Sequence, residues 1–284
     1  MSSYYNAYEI ASQVRRGLNE FSTARVQGTD TTGAYPNEEI LRAINDAQKL
    51  LFDLLFVRVP HLFLSSASLT ASASVLTLPA DFFKLRRLEN SDKVKINPIS
   101  VDSRHLNESE GSNYLYYRKG NTLRIDKDSV GSIFTLWYFT RPRRLDFGSA
   151  SAGGALSITL AAANSRAEAD YYNGMVIEDI TAGFYSTISD YTAARAATIS
   201  ATAAASDYYG LVSELPEEFH HLIGRRALLQ MRSSVVSVLP PSTADLEMFQ
   251  EDLIESIRSY CGDELDKGDM TPEETFLTLE PMIP

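Results

Sequence analysis

Asn37–Phe56 reads NEEILRAINDAQKLLFDLLF. Its apolar residues Ile40, Ile44, Ala47, Leu51 and Leu54 recur at spacings of three and four, with Leu41 and Leu55 alongside. That spacing predicts one apolar stripe down a helix of about five turns. Pro36 suits the first turn, where a missing N–H costs nothing, and Glu38 and Glu39 suit the positive end of the helix dipole. A stripe this wide must be covered, so the rest of the chain is expected to supply its partners.

Three other stretches carry matching stripes. Residues 7–22 predict a first helix with Ile10, Val14, Leu18 and Phe21 on one face, capped by Asn6 with Glu9 three residues on. Residues 23–35 carry two glycines and several threonines and predict a loop. Glu214-Leu215-Pro216-Glu217-Glu218 opens a third helix, with Phe219, Leu222, Ile223, Ala227 and Gln230 or Met231 tracking its face. Pro240-Pro241 stops the chain, Ser242 or Thr243 caps a fourth helix, and Leu246, Phe249, Leu253, Ile257 and Tyr260 form its stripe. Gly262 sits where a helix-ending glycine belongs.

Between these helices the period changes. SASLTASASVLTL, after Pro60, alternates small or polar residues with apolar ones and predicts a hairpin or strand pair. Pro79 is a strand end in LPADFFKLRRLE, and Lys93–Ile99 is a short strand candidate. Asp102–Gly111 is polar and holds His105. Tyr114–Lys119 and Thr122–Asp126 flank Gly120-Asn121, a pair that supplies the positive φ angles of a tight hairpin turn. Ser132–Thr140 is the strongest strand, dense in aromatic and β-branched residues, and Arg141-Pro142-Arg143-Arg144 breaks it. From Asp146 to Ser213 there is no lysine, and Ala, Ser, Thr, Gly and Tyr dominate. Its short alternating runs predict an inserted β-sandwich.

The predicted fold class is α+β: a helical bundle formed by both chain ends, a projecting antiparallel β domain and an inserted small β-sandwich. The expected divisions are 1–62 and 214–262 for the bundle, 63–145 for the β domain, 146–213 for the insert and 263–284 for an extended arm. The bundle core is expected at Ile40, Ile44, Leu51, Leu54, Leu222 and Leu253.

Charge narrows the function. With 44% hydrophobic and 22% charged residues the chain is ordinary for a folded soluble protein. Its formal charge of −11 argues against a protein that coats nucleic acid. Ten acidic and two basic residues fall between 251 and 284, so the first 250 residues carry only −3. Such an end is either a solvated tail or a docking arm for a basic partner. At roughly 3.3 Å per residue the terminal arm reaches up to about 70 Å.

A single cysteine, Cys261, excludes an internal disulfide and points to a reducing compartment during folding. MSSYYNAYEI lacks the basic start and apolar core of an export signal. The apolar run Leu50–Val59 is too short to span a bilayer, so no membrane partner is expected.

No phosphate-binding glycine loop, GxSxG or HExxH is present, and no cofactor or metal is expected. His220 and His221 point different ways on a helix and cannot chelate one ion well. Glu178-Asp179 and Asp170 could in principle serve glycoside cleavage, but acids at turns are usually turn formers. Arg141, Arg143 and Arg144, with Arg86 and Arg87, fit protein salt bridges or a solvated rim better than DNA phosphates. Tyr171, Tyr172, Tyr191, Tyr208 and Tyr209 form either a sugar-binding surface or core packing.

The ordered set NEEILRAINDAQ, LPADFFKLRRLE, NYLYYRKGNTLRI, FTLWYFTRPRRL and ELPEEFHHLIGRRAL resembles the head-to-tail adaptor proteins of tailed bacteriophages, also called connector, neck or tail accessory proteins. The resemblance covers most of residues 5–145 and 214–262. It implies a non-enzymatic virion protein in the neck, assembled in the bacterial host cytoplasm. It further implies a ring of about a dozen copies under the portal, lining the DNA passage with only transient, non-specific DNA contact. Its other expected partner is a tail nozzle, tube or stopper protein. The insert departs from that pattern and is similar to a β module recurring in phage structural proteins; tail fibres are its candidate partner. The arm is expected to dock on the portal through Phe276, Leu277, Leu279, Pro281, Met282 and Ile283, spaced like strand anchors. The competing reading is a carbohydrate-binding or wall-degrading tail component that uses the Tyr-rich insert.

Overall fold

A computed structural model of the chain describes residues 5–30, 32–100, 114–126, 129, 131–234 and 242–261. The protein is of mixed α and β class. Helix α1 (Ala7–Gly17) is capped by Asn6, whose side-chain oxygen accepts from the Glu9 N–H at 2.9 Å. After the short helix α2 (Thr23–Val26) comes α3 (Asn37–Arg58), with Pro36 as its extended N-cap. Ile40, Ile44, Leu51, Phe52 and Leu55 are fully buried along it. Near the chain end, helices α4 (His220–Ser234) and α5 (Thr243–Cys261) follow a 3-10 turn at Glu217–Phe219. Ser242 caps α5 in a reciprocal pair with Asp245. α4 packs on α1, α3 and α5, so helices from both ends of the chain meet.

The middle of the chain builds a seven-stranded sheet. Its strands are β1 (Leu64–Thr70), β2 (Val75–Thr77), β3 (Phe82–Glu89), β4 (Lys95–Pro98), β5 (Leu115–Lys119), β6 (Thr122–Ile125) and β7 (Ile133–Thr140). Their order is β1-β7-β3-β4-β5-β6-β2. The two edges are successive strands joined by a short turn, with a Ser72–Val75 bridge, so the sheet curls back on itself. Leu76, Leu88, Leu123, Phe134 and Leu136 fill the inside. Phe56, on α3, meets Phe83 and Phe139 edge-on at 5.2 Å, which ties this sheet to the helices.

The later strands are β8 (Phe147–Ser149), β9 (Ala152–Gly154), β10 (Ser157–Thr159), β11 (Val176–Asp179), β12 (Phe184–Thr187), β13 (Asp190–Tyr191), β14 (Ala196–Thr198) and β15 (Tyr208–Leu211). They form two four-stranded antiparallel sheets, β13-β14-β10-β9 and β12-β11-β15-β8. Their buried residues, including Ile158, Ile177, Tyr191, Tyr209 and Leu211, belong to one continuous core with Ile10, Ile44, Leu222 and Leu253 of the helices. Tyr8, on α1, stands edge-on to Phe147 of β8. A Cβ at Gly210 would lie 2.6 Å from the Asn6 side-chain oxygen, so glycine is what lets the start of α1 approach β15. The packing therefore does not divide at residue 146.

Several expectations need correction. The first helix ends at Gly17, five residues short of the predicted end; Phe21 is 42% exposed and carries the Arg16 guanidinium over its ring. A short helix, α2, sits inside the predicted 23–35 loop. Leu54 is only partly buried, because the stripe turns through Phe52 and Leu55 instead. β1 and β2 are not a ladder pair: β1 pairs with β7 and β2 with β6. The β domain is not wholly antiparallel, since β4 and β5 run parallel. Gly120, at φ +59°, is the residue of its turn pair with positive φ. His105, Gly262 and the residues from Asp263 onward lie outside the described residues.

Asp146, at the start of β8, is fully buried. The Tyr209 hydroxyl donates to it at 2.7 Å and accepts from the Ala161 N–H. Burial pushes the Asp146 carboxyl up to about 7, with the Tyr209 hydrogen bond opposing. A folded-state value above the unfolded one means that stability is fully present below about pH 4 and is lost as pH rises through about 7. Asp146→Asn keeps an acceptor for Tyr209 without the charge. Urea unfolding should find this slope largely gone in the variant, which at pH 8 gains on the order of 2 kcal/mol over the parent. An unchanged slope would mean that Asp146 is not the titrating group.

Candidate interaction site

The chain leaves β7 at Arg141 and enters β8 at Phe147, and the link between them is clamped to α3. Asn45 and Gln48 interrupt the apolar pattern of α3 one turn apart. The Asn45 side chain accepts from the Leu145 N–H at 2.7 Å and donates to the Leu145 carbonyl at 3.1 Å. The Gln48 amide donates to the Arg143 carbonyl at 2.8 Å and accepts from the Ser213 hydroxyl at 2.7 Å. Three of the link's backbone polar groups, the Arg143 carbonyl and the Leu145 N–H and carbonyl, thus find partners without a sheet.

Arg143 points inward and is 9% exposed. Its guanidinium pairs with the Glu214 carboxylate and donates to the carbonyls of Tyr171 and Asn173. The Arg143 N–H donates to Glu214 at 2.7 Å as well. One side chain therefore holds together the link, the 171–173 turn and the entry to the C-terminal helices.

Above this clamp lies a groove of about 490 Å³. Arg42, Lys49, Arg141, Arg144 and Arg166 stand around it with exposed side chains, over a floor containing Gln48, Phe52 and Arg143. Among the described residues Asp46 is its one acidic lining residue, and the Gln230 amide donates to it. Among the described residues, none of those five cations has a carboxylate within ion-pairing distance. Tyr171 shapes one wall: its hydroxyl accepts from the Arg144 N–H at 3.2 Å, and the Arg166 guanidinium lies 5.5 Å from its ring. Five exposed cations against one carboxylate make the described lining locally basic on an acidic chain.

The sequence-predicted residues land in several places. Ile40, Ile44, Leu51, Leu222 and Leu253 sit in the common core, with Leu54 at its margin. Arg141 and Arg144 line the groove, whereas Arg86 and Arg87 lie on β3 away from it, Arg87 pairing with Glu89. His220 is buried and hydrogen-bonded through Nε2 to the Leu215 carbonyl, while His221 is exposed. Tyr172, Tyr191 and Tyr209 are buried, and the first two meet edge-on at 4.8 Å. For these three the core-packing alternative holds, while Tyr171 and Tyr208 are half-buried. Glu178 and Asp179 point to opposite sides of β11, Glu178 toward Asn6 and Asp179 onto the Ala182 N–H. Phe276, Leu277, Leu279, Pro281, Met282 and Ile283 lie outside the described residues. Among the described residues no cluster of three or more His, Cys, Asp or Glu could hold a metal, and no helix is long and apolar enough to cross a membrane. Arg42, Lys49 and Arg166 were not singled out by the sequence; their only signal is a cation on the polar side of a helix or turn.

Comparison with protein families finds SU10 adaptor protein, matched over residues 5–177. The match spans well over half of the chain. This chain belongs to the SU10 adaptor protein family. No curated protein matches it. SU10 adaptor proteins are structural proteins of bacteriophages. The match runs through 146–177, past the break at 145 that the resemblance implied, and does not take in 214–262. It stops inside β11, at no structural boundary, while α4 and α5 lie beyond it yet pack on matched helices. In this SU10 adaptor protein the Arg143 clamp joins both parts, since Glu214 belongs to the unmatched one.

Replacing Arg143 by leucine leaves two carbonyls without their donor and the Glu214 carboxylate, which water still reaches, without its partner. Leaving those groups unmet costs about 2 kcal/mol, less than for a pair buried on both sides. Arg143→Lys keeps the charge but not the fork of donors, so it should recover only part of the loss. Chemical denaturation of both variants measures this, and a leucine variant as stable as the parent would show that the clamp is not needed.

Proposed function

We propose that this chain is the head-to-tail adaptor of a tailed phage, a structural protein in the virion neck. Copies close into a ring of about a dozen through repeated side-by-side contacts of the helical unit. That ring joins the portal to a tail nozzle, tube or stopper protein and surrounds the DNA passage. The observation that carries the reading is membership of the SU10 adaptor family. Two features support it. A net charge of −11 repels duplex DNA and favours passage over binding. Both chain ends contribute to one helical unit, which offers a single rigid body for repeated side-by-side contacts.

In this reading the helical unit comprises 1–62 and 214–262 as a bundle, the β domain of 63–145 faces the tail, and the 146–213 insert, which packs on the helices, offers its outer face to tail fibres. The arm from residue 263 docks on the portal through Phe276, Leu277, Leu279, Pro281, Met282 and Ile283. Assembly takes place in the host cytoplasm.

Deleting Asp269–Pro284 should leave the circular dichroism of the helices unchanged and reduce recovery of the chain on portal-bearing heads at least tenfold. Normal head–tail joining after the deletion would refute the arm's role. Imaging of particles should find the chain as a ring in the neck, and a location on capsid faces or distal fibres would refute the adaptor reading itself.

A further inference from the structure

We propose that the basic groove beside the Arg143 clamp is the seat of this chain's own acidic segment, Asp263–Glu274. The inference rests on the groove and not on the adaptor reading. Five exposed cations, Arg42, Lys49, Arg141, Arg144 and Arg166, converge there with no carboxylate partner among the described residues. Like charges gathered in one concavity repel, so the cluster is costly unless an anion occupies it.

The sequence supplies such an anion close by. Asp263, Glu264, Asp266, Asp269, Glu273 and Glu274 fall within twelve residues, against the single cation Lys267. The segment also follows a helix whose last turn is linked to the clamp through neighbouring contacts. Tyr260, in the last turn of α5, lies 5.8 Å from the Phe219 ring. Phe219 closes the turn that begins a few residues after Glu214, and Glu214 is the partner of Arg143 in the groove floor. Five residues separate Glu214 from Phe219, at most about 18 Å of chain, whereas twelve residues after α5 reach about 40 Å extended. A tether of this kind gives an effective concentration in the millimolar range, ahead of any separate molecule.

Size favours a peptide over DNA. A space of about 490 Å³ takes a few extended residues, but a duplex is too wide to enter it and could offer only single phosphates at the rim. Carboxylates on a thin chain can instead reach cations on both walls, with Arg141, Arg144 and Arg166 giving forked contacts. The proposal leaves the apolar end from Phe276 onward outside the groove.

A labelled peptide spanning residues 262–275 tests this on full-length protein by fluorescence anisotropy. The parent chain should bind it weakly, because its own segment fills the groove. A full-length chain with the six acids changed to Asn or Gln should bind it at least tenfold more tightly. That binding should fade near 0.5 M salt, where the screening length is only about 4 Å. It should also be lost when Arg144→Gln and Arg166→Gln, two exposed side chains, are added, with thermal unfolding as the check on folding. Equal binding by the parent and acid-neutralised chains overturns the proposal. So does persistence of binding without Arg144 and Arg166. A short DNA duplex bound equally by both chains would show an open groove and overturn it too.

Discussion

The contact between Arg143 and Glu214 is the constraint on which the arrangement depends. β7 must end, cross the side of α3 and start β8, and its backbone cannot cross a core unpaired. Asn45 and Gln48 satisfy that crossing from the helix side. Arg143 satisfies it from the other, donating to two carbonyls of the 171–173 turn and to Glu214. The curled sheet, the later sheets and the C-terminal helices are thereby held at one place, although they are far apart in sequence. A lysine could carry the charge but not this geometry, because a point charge cannot direct forked donors to three acceptors.

The helices were the most legible part of the sequence, because a stripe at spacings of three and four has few other uses. α3 and α5 start and end close to where their apolar patterns do. The apolar period runs past the end of α1 because Leu18 and Phe21 continue it. The helix stops at Gly17, where an added Cβ would lie 2.3 Å from a Leu228 methyl group; close approach to α4 sets this spot, not periodicity. The strands were found but their partners were not. β1 and β2 look like a hairpin, yet they become the two edges of a curled sheet, since each finds a longer partner elsewhere. The parallel pairing of β4 with β5 depends on a crossover that local pattern does not encode.

The groove was half legible. Arg141, Arg143 and Arg144 attract notice as a run, but sequence could not tell that the middle one turns inward while its neighbours face the groove. Arg42 and Lys49 read as ordinary polar-face residues of a helix, and Arg166 as a loop residue. Only the fold brings them together. The tyrosines left two readings open, a binding surface or core packing. Tyr172, Tyr191 and Tyr209 take the second, although they are large and half polar. Each finds an internal hydrogen-bond partner for its hydroxyl, Tyr209 on Asp146 and the others on the backbone around Arg166, which lets the rings enter the core.

Net charge is a poor guide to what this surface attracts. The chain totals −11, but only −3 belongs to the first 250 residues, and within those the groove gathers five exposed cations. At physiological ionic strength fields die out over about 8 Å, so a partner meets the local cluster and not the total. The acids after residue 250 and the cations around the clamp are therefore separate electrostatic objects. An acidic chain can repel a duplex over most of its surface and still hold a carboxylate-rich strand in one groove. A carboxylate there is attracted by neighbours a few ångströms away, whereas a passing duplex is held off by the rest of the molecule.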